Sequence, residues 1–134
     1  GENILRLCDF VTPNEIEAEQ ITGIPVKTIS DAEVAADKLL EKGASAAVIT
    51  LGEQGALFKD SKQIVHQPSF QVGPIVETTG AGDAFNGGLA VALAEEMPID
   101  KALRFACATA SISVTRPGTA PSMPDRSEID TLLT

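Results

Sequence analysis

Ala46-Ala47-Val48-Ile49-Thr50-Leu51 is a continuous apolar run of strand length, and such a run fits a strand covered on both faces rather than one. A half-exposed strand would alternate. Just upstream, Ser30-Asp31-Ala32-Glu33 matches a helix-starting capping box, Val34, Leu39 and Leu40 supply apolar positions, and Gly43 can close the helix. Earlier still, Leu7 to Val11 is a short run ended by Thr12-Pro13. Asn14 then caps a helix with acids at Glu15, Glu17 and Glu19, which Gly23 and Pro25 stop. Strand, helix and covered strand in alternation predict an α/β fold, a mainly parallel sheet flanked by helices.

Gly52-Glu53-Gln54-Gly55 turns the chain into Ala56 to Lys59, and Asp60-Ser61-Lys62 separates this from Gln63 to Gln67. The two short strands predict an antiparallel hairpin at the sheet edge. His66, with no metal-ligating or catalytic companion nearby, reads as a surface residue of that hairpin. From Asp83 a helix is expected to about Met97, where Pro98 forbids simple continuation. Gly87 and Gly88 inside it should cost up to roughly 1 kcal/mol each against alanine, so a close approach of backbone or ligand is expected there. Ile99 to Thr115 is apolar or small nearly all round through Ala102, Ala106, Cys107, Ala110 and Ile112, which predicts a buried helix. A proline-rich loop, Arg116 to Pro124, leads to a short terminal helix through Ile129, Leu132 and Leu133.

At 134 residues there is room for one domain with a real core. The opening, Gly1-Glu2-Asn3-Ile4-Leu5, enters an apolar stretch at once without a methionine. The chain is therefore expected to be part of a longer one. A net charge of −9 and few aromatic residues exclude a nucleic-acid or anionic-membrane surface. No run reaches the ~18 to 20 apolar residues of a membrane span, and no signal-peptide layout opens the chain. Cys8 and Cys107 lie far apart with no zinc-type spacing, which fits a reducing, cytoplasmic setting.

The chemistry concentrates in Glu77-Thr78-Thr79-Gly80-Ala81-Gly82-Asp83-Ala84-Phe85-Asn86-Gly87-Gly88. Glycines at 80 and 82 permit close approach of a ligand to the backbone, and the first amides of the following helix favour an anion. A dinucleotide fingerprint is contradicted by Phe85 at the third small position, and no Walker A sequence occurs. A carboxylate among anion-binding amides makes sense for phosphoryl transfer to an alcohol, where Asp83 serves as base and the amides of Ala81, Gly82 and Asp83 meet the phosphoryl oxygens. The structural alternative makes Asp83 an N-cap worth about 1 kcal/mol. The residue types leave both open.

This stretch resembles the C-terminal signature of the ribokinase, or PfkB, family of carbohydrate kinases. Thr12 to Glu19 resembles the family's Asn-x-x-Glu segment, Thr50 to Gly55 its nucleotide-binding turn, and Ser113 to Ser122 its closing loop. The resemblance implies a ribokinase-like α/β fold and ATP-dependent phosphorylation of a sugar hydroxyl, D-ribose first among the acceptors. It makes Asp83 the base that meets the sugar and Gly80, Ala81 and Gly82 the anion hole. Asn14 and Glu17 fall at positions that organise Mg2+ and phosphate, although a cap and a first-turn acid explain them equally well. Thr50, Gly52 and Gly55 fall beside the nucleotide, and Cys107 near its adenine, against the plainer readings of a hairpin turn and a core residue. A K+ site is implied at Glu77, Thr79, Ser113, Arg116, Gly118 and Ser122. Glu77 stands where the family carries aspartate, and its extra methylene moves the carboxylate by about 1.5 Å.

In the same family the sugar-gripping residues and a dimer-forming lid lie upstream of anything here. Residues 1–134 are thus expected to be the C-terminal nucleotide-binding and base-bearing portion, with a homodimer possible through the absent lid. A fragment that holds nucleotide without turning sugar over is the second reading. A kinase for another sugar or a nucleoside is the third, and a dinucleotide-dependent oxidoreductase the least favoured by spacing.

Overall fold

The computed structural model describes residues 10–76, 78, 80–116 and 124–134. Cys8, Glu77, Thr79, Gly118 and Ser122 lie outside the described residues, as does the start of the strand expected from Leu7. Two compact units divide the chain, residues 1–66 and 67–134, and each is described by itself.

In the first unit Asn14 caps α1 (Glu15–Thr22), and Gly23, at φ 75°, ends it by donating its N–H to the Glu19 carbonyl at 2.7 Å. α2 (Ile29–Glu41) starts earlier than the Ser30 box predicts, because Thr28 is its cap. The sequence holds two overlapping cap patterns, and the earlier one prevails through Asp31. Its carboxylate accepts from the N–H groups of Lys27 and Thr28 at 3.0 and 3.1 Å, while its own N–H donates to Thr28 Oγ1. Gly43 closes α2 as expected. At φ 111° it donates to Leu40, and Ala44 donates to Leu39, the crossed pair of bonds that satisfies a helix's last carbonyls.

β1 (Ala46–Thr50) is paired on both edges. On one side the segment from Val11 to Asn14 runs parallel to it, with Val11 beside Ala47 and Asn14 beside Thr50. On the other, β2 (Ala56–Asp60) runs antiparallel, Thr50 facing Ala56 and Ala46 facing Asp60. β3 (Ile64–Gln67) completes the order β1-β2-β3, and the short link from β2 makes the expected hairpin. The fold is α/β as the sequence implies. Among the described residues, however, the parallel component is the Val11–Asn14 segment, while β1 and β2 form a second antiparallel pair through a 3-10 turn, Gly52–Gln54. Ala18, Ala32, Ala35, Ala36 and Leu39 of the helices pack with Ala47, Ile49, Leu51 and Leu57 in one core. Alanines on the helix faces bring backbones close to the sheet.

The second unit pairs α3 (Ala81–Ala94) with α4 (Ile99–Ser113) and adds α5 (Arg126–Leu133). α4 is buried nearly all round, as its composition requires. α3 buries Ala84, Phe85, Gly88, Leu89 and Ala92. A Cβ on Gly88 would lie 2.7 Å from Thr109 Oγ1, 3.0 Å from Thr109 Cβ and 3.2 Å from Ala106 Cα, so α3 and α4 approach here more closely than a side chain allows. The expected compensation for glycine inside the helix is thus helix packing. Beyond α3 the chain turns at Glu96, a non-glycine residue at φ 59°, with Met97 donating to Ala92. Arg126 holds α5 in place by pairing with Glu95 and Asp130 and lying 5.0 Å over the Phe105 ring.

Gly88→Ala is expected to destabilise the protein by about 1 to 3 kcal/mol, since α4 backbone must move to admit the methyl group. Glu96→Gly relieves a left-handed residue and should raise stability by roughly 1 kcal/mol. Chemical denaturation of the two variants beside the parent checks both signs.

Candidate active site

Pairing on both edges of β1 determines where the first unit presents its candidate groups. Thr50 ends β1, and its N–H donates to the Pro13 carbonyl at 3.1 Å. Asn14 is its sheet neighbour. Both segments leave the sheet at this end, one into α1 and the other into the Gly52–Gln54 turn, so Asn14, Glu17, Thr50, Gly52 and Gly55 are gathered at the carboxyl end of a parallel pair. In α/β sheets that end is the usual ligand crevice. An open cleft of about 480 Å3 lies there, lined by Glu15, Val26, Lys27, Leu51 and the turn itself.

Asn14 and Glu17 form a reciprocal cap. Glu17 N–H donates to Asn14 Oδ1 at 2.8 Å, and Asn14 N–H donates to Glu17 Oε1 at 3.0 Å. The plainer reading of these two residues is therefore realised, with one oxygen of the exposed Glu17 carboxylate engaged in it. Among the described residues no cluster of three His, Cys, Asp or Glu side chains is disposed to hold a metal. Magnesium carried by nucleotide phosphates needs only one or two carboxylates and water, a demand that an exposed acid beside the cleft can meet.

The turn is built on glycine. Gly52 sits at φ 57° and Gly55 at φ 92°, ψ −126°, a combination closed to L side chains. Gly55 N–H donates to the Gly52 carbonyl at 3.1 Å, Gln54 N–H to Leu51 at 3.0 Å, and Leu51 N–H to Gly55 at 2.8 Å. His66, expected as a hairpin surface residue with no metal-ligating or catalytic companion, is half-buried, and its Nε2 lies 2.7 Å from the Gln54 carbonyl. No sequence spacing signals this contact, since it depends on the register of the hairpin that returns β3 toward the turn.

In the second unit the N-cap of α3 is Gly80, which has no side chain to cap with. Asp83 is consequently not an N-cap: it stands in the first turn, exposed. Ala81 N–H is already given to the Thr78 carbonyl at 3.1 Å, which narrows the expected amide trio. Among the described residues the N–H groups of Gly82 and Asp83 have no backbone acceptor. Gly82 is exposed, and a Cβ built on it meets nothing within 4 Å. Among the described residues neither packing nor a left-handed backbone asks for glycine there.

Cys107 is buried on α4, where its thiol donates to the Gln67 carbonyl at 3.7 Å and burial pushes its pKa up to about 12. It is a neutral core residue in this environment. Ser113 is buried at the end of α4, and the Arg116 guanidinium pairs with Glu128 of α5. These are the two residues of the implied K+ set that fall among those described.

The chain is similar to known proteins over most of its length. Haemophilus influenzae ribokinase is 42% identical over 130 residues, covering 96% of this chain and 42% of that protein. Salmonella typhi deoxyribokinase is 43% identical over 117 residues, covering 87% of this chain and 38% of that protein. The solved structure of Arabidopsis thaliana ribokinase complexed with ribose and ATP superposes with a TM-score of 0.95 at 34% identity, over 100% of this chain and 43% of that one. The chain thus spans about two fifths of the length of its curated relatives. The profile described as "pfkB family carbohydrate kinase" matches residues 2–126, and the chain belongs to that family.

Proposed function

We propose that this chain supplies the nucleotide-holding and phosphoryl-transferring part of an ATP-dependent sugar kinase, with D-ribose the first expected acceptor. Gly82 is the observation that carries the reading. A glycine in the first turn of a helix sacrifices stability, and among the described residues neither backbone conformation nor a neighbouring atom accounts for it. A ligand approaching the helix end closer than a methyl group would permit does account for it. The adjacent exposed carboxylate of Asp83 makes that ligand a reacting phosphoryl group with its acceptor.

In this reading Asp83 takes the proton of the sugar hydroxyl, whose oxygen bonds to the γ-phosphorus of ATP. The bond from that phosphorus to the β–γ bridging oxygen breaks, ADP leaves with the electron pair, and Asp83 later releases its proton to solvent. Gly80 to Gly82 hold the transferred oxygens, with Gly82 and Asp83 amides as the donors. Thr50, Gly52 and Gly55 hold the nucleotide, and bound Mg2+ would neutralise phosphate charge near Asn14 and Glu17. A K+ role for Ser113 and Arg116, together with Glu77, Thr79, Gly118 and Ser122, rests on the resemblance.

Deoxyribokinase at 43% identity stands as near as ribokinase at 42%, which supports a pentose acceptor and leaves its C2 substituent open. The share of its relatives that the chain spans favours, as a second reading, a portion that binds ATP but turns nothing over by itself.

Asp83→Asn is expected to lower kcat for sugar phosphorylation by about 10² to 10⁴ while leaving ATP affinity nearly unchanged. A steady-state assay with a calorimetric titration of ATP and Mg2+ checks both, and turnover near the parental rate would remove Asp83 from its role. Gly82→Ala separates stability from function. It should leave the melting temperature unchanged or slightly raised, while kcat drops on the order of 10²-fold because the phosphoryl group is displaced.

A further inference from the structure

His66 is the only histidine of the chain, and its contact crosses from β3 to the turn after β1. A carbonyl oxygen can only accept, so the Nε2 of His66 carries the proton in this bond. The accepting carbonyl belongs to Gln54, and the same peptide unit carries the N–H of Gly55, which donates to Gly52. That peptide is consequently held at both ends, by His66 at its oxygen and by Gly52 at its nitrogen.

The peptide needs holding. Gly55 adopts a conformation open to glycine alone, and glycine reaches several others at little cost, so the direction of the Gln54–Gly55 plane rests on the bonds at its two ends, Gly55 N–H to Gly52 and His66 to the Gln54 oxygen. The remaining bonds of the turn, from Leu51 N–H to Gly55 and from Gln54 N–H to Leu51, fix its width. Neither touches the Gln54 oxygen. His66 is itself fixed by its strand: it is half-buried, and β3 is joined to β2 by a tight link in which Asp60 accepts the N–H groups of Lys62 and Gln63 at 2.8 Å each.

We infer that His66 is a positioning residue for the nucleotide turn, holding the Gln54–Gly55 peptide so that Gly52 to Gly55 present one backbone surface to ATP. The inference rests on the reading of this turn as the nucleotide site. His66 itself touches no reacting atom. It acts through Gln54, and its effect is on nucleotide affinity rather than on the chemical step.

Two variants of the full-length protein test it. His66→Leu keeps an apolar body but has no donor, and His66→Gln carries an amide N–H at a reach similar to Nε2. His66→Leu is expected to raise KM and Kd for ATP with Mg2+ about two- to tenfold, the range of one hydrogen bond, with sugar KM and kcat within twofold of the parent. His66→Gln should restore the ATP values to within twofold. Amide exchange without nucleotide provides an independent measure: Gly55 N–H should exchange faster in His66→Leu and at the parental rate in His66→Gln. Unchanged ATP affinity in His66→Leu overturns the inference. So does a matched loss of ATP and sugar affinity with a lowered melting temperature, which marks a general structural role. A parent protein that binds no ATP overturns the nucleotide reading of the turn, and that result is separate because it appears before any variant is made.

Discussion

The first unit depends on β1 having both of its edges paired. An interior strand has no spare backbone donors or acceptors on either side, so its neighbours' positions are fixed by hydrogen bonds rather than by side-chain packing alone. The Val11–Asn14 segment takes one edge and β2 the other. Because the first is parallel and the second antiparallel, the chain enters α1 and the Gly52–Gln54 turn at the same end of β1. The candidate residues are far apart in sequence, yet one strand's ladder brings Asn14 and Thr50 side by side. Moving that register by one residue would separate them and also turn Ile49 away from Ala47's side of the sheet and from the helices packed there.

Two glycines of α3 illustrate how a helix can be set by packing at one point and left open at another. At Gly88 any side chain would press on Ala106 and Thr109, so the residue is explained by α4. At Gly82, six residues earlier, a Cβ would meet nothing within 4 Å among the described residues. The first glycine lets α3 lie close against a buried helix. The second leaves the helix end accessible to something outside the described chain. Loss of helix propensity is about the same at both positions, and what offsets it differs.

Local signals were legible where one residue type has one physical use. Asn14 as a cap, Gly23 and Gly43 as left-handed ends, and the unbroken run of Ala46 to Thr50 as a covered strand all carry their reasons in the sequence. Ambiguity entered where two overlapping patterns satisfy the same rule. Thr28-x-x-Asp31 and Ser30-x-x-Glu33 both fit a cap, and only the extra N–H gathered by Asp31 selects the earlier one. Asp83 is ambiguous for a related reason. An acid after glycines fits both a cap and a reacting group, and the structure removes the first alternative, because Gly80 takes the cap position and puts Asp83 inside the first turn. The His66–Gln54 bond was beyond reach, since it follows from how a hairpin folds back and not from any local pattern.

Asp83 inside the first turn, rather than at the cap, bears on the proposed chemistry. A cap oxygen would be spent on the helix's own amides, as Asn14 Oδ1 is spent in α1. An exposed carboxylate one turn in remains available, but it competes with an incoming phosphate for the same positive helix end. Two unit charges about 5 Å apart repel by roughly 3 kcal/mol at an effective dielectric near 20. Proton transfer to Asp83 removes that repulsion at the moment charge builds on the transferred group. A fixed cation would relieve it before the reaction and so assist binding and transition state alike. A carboxylate that loses its charge during the reaction assists the transition state selectively, which is the differential stabilisation that catalysis requires.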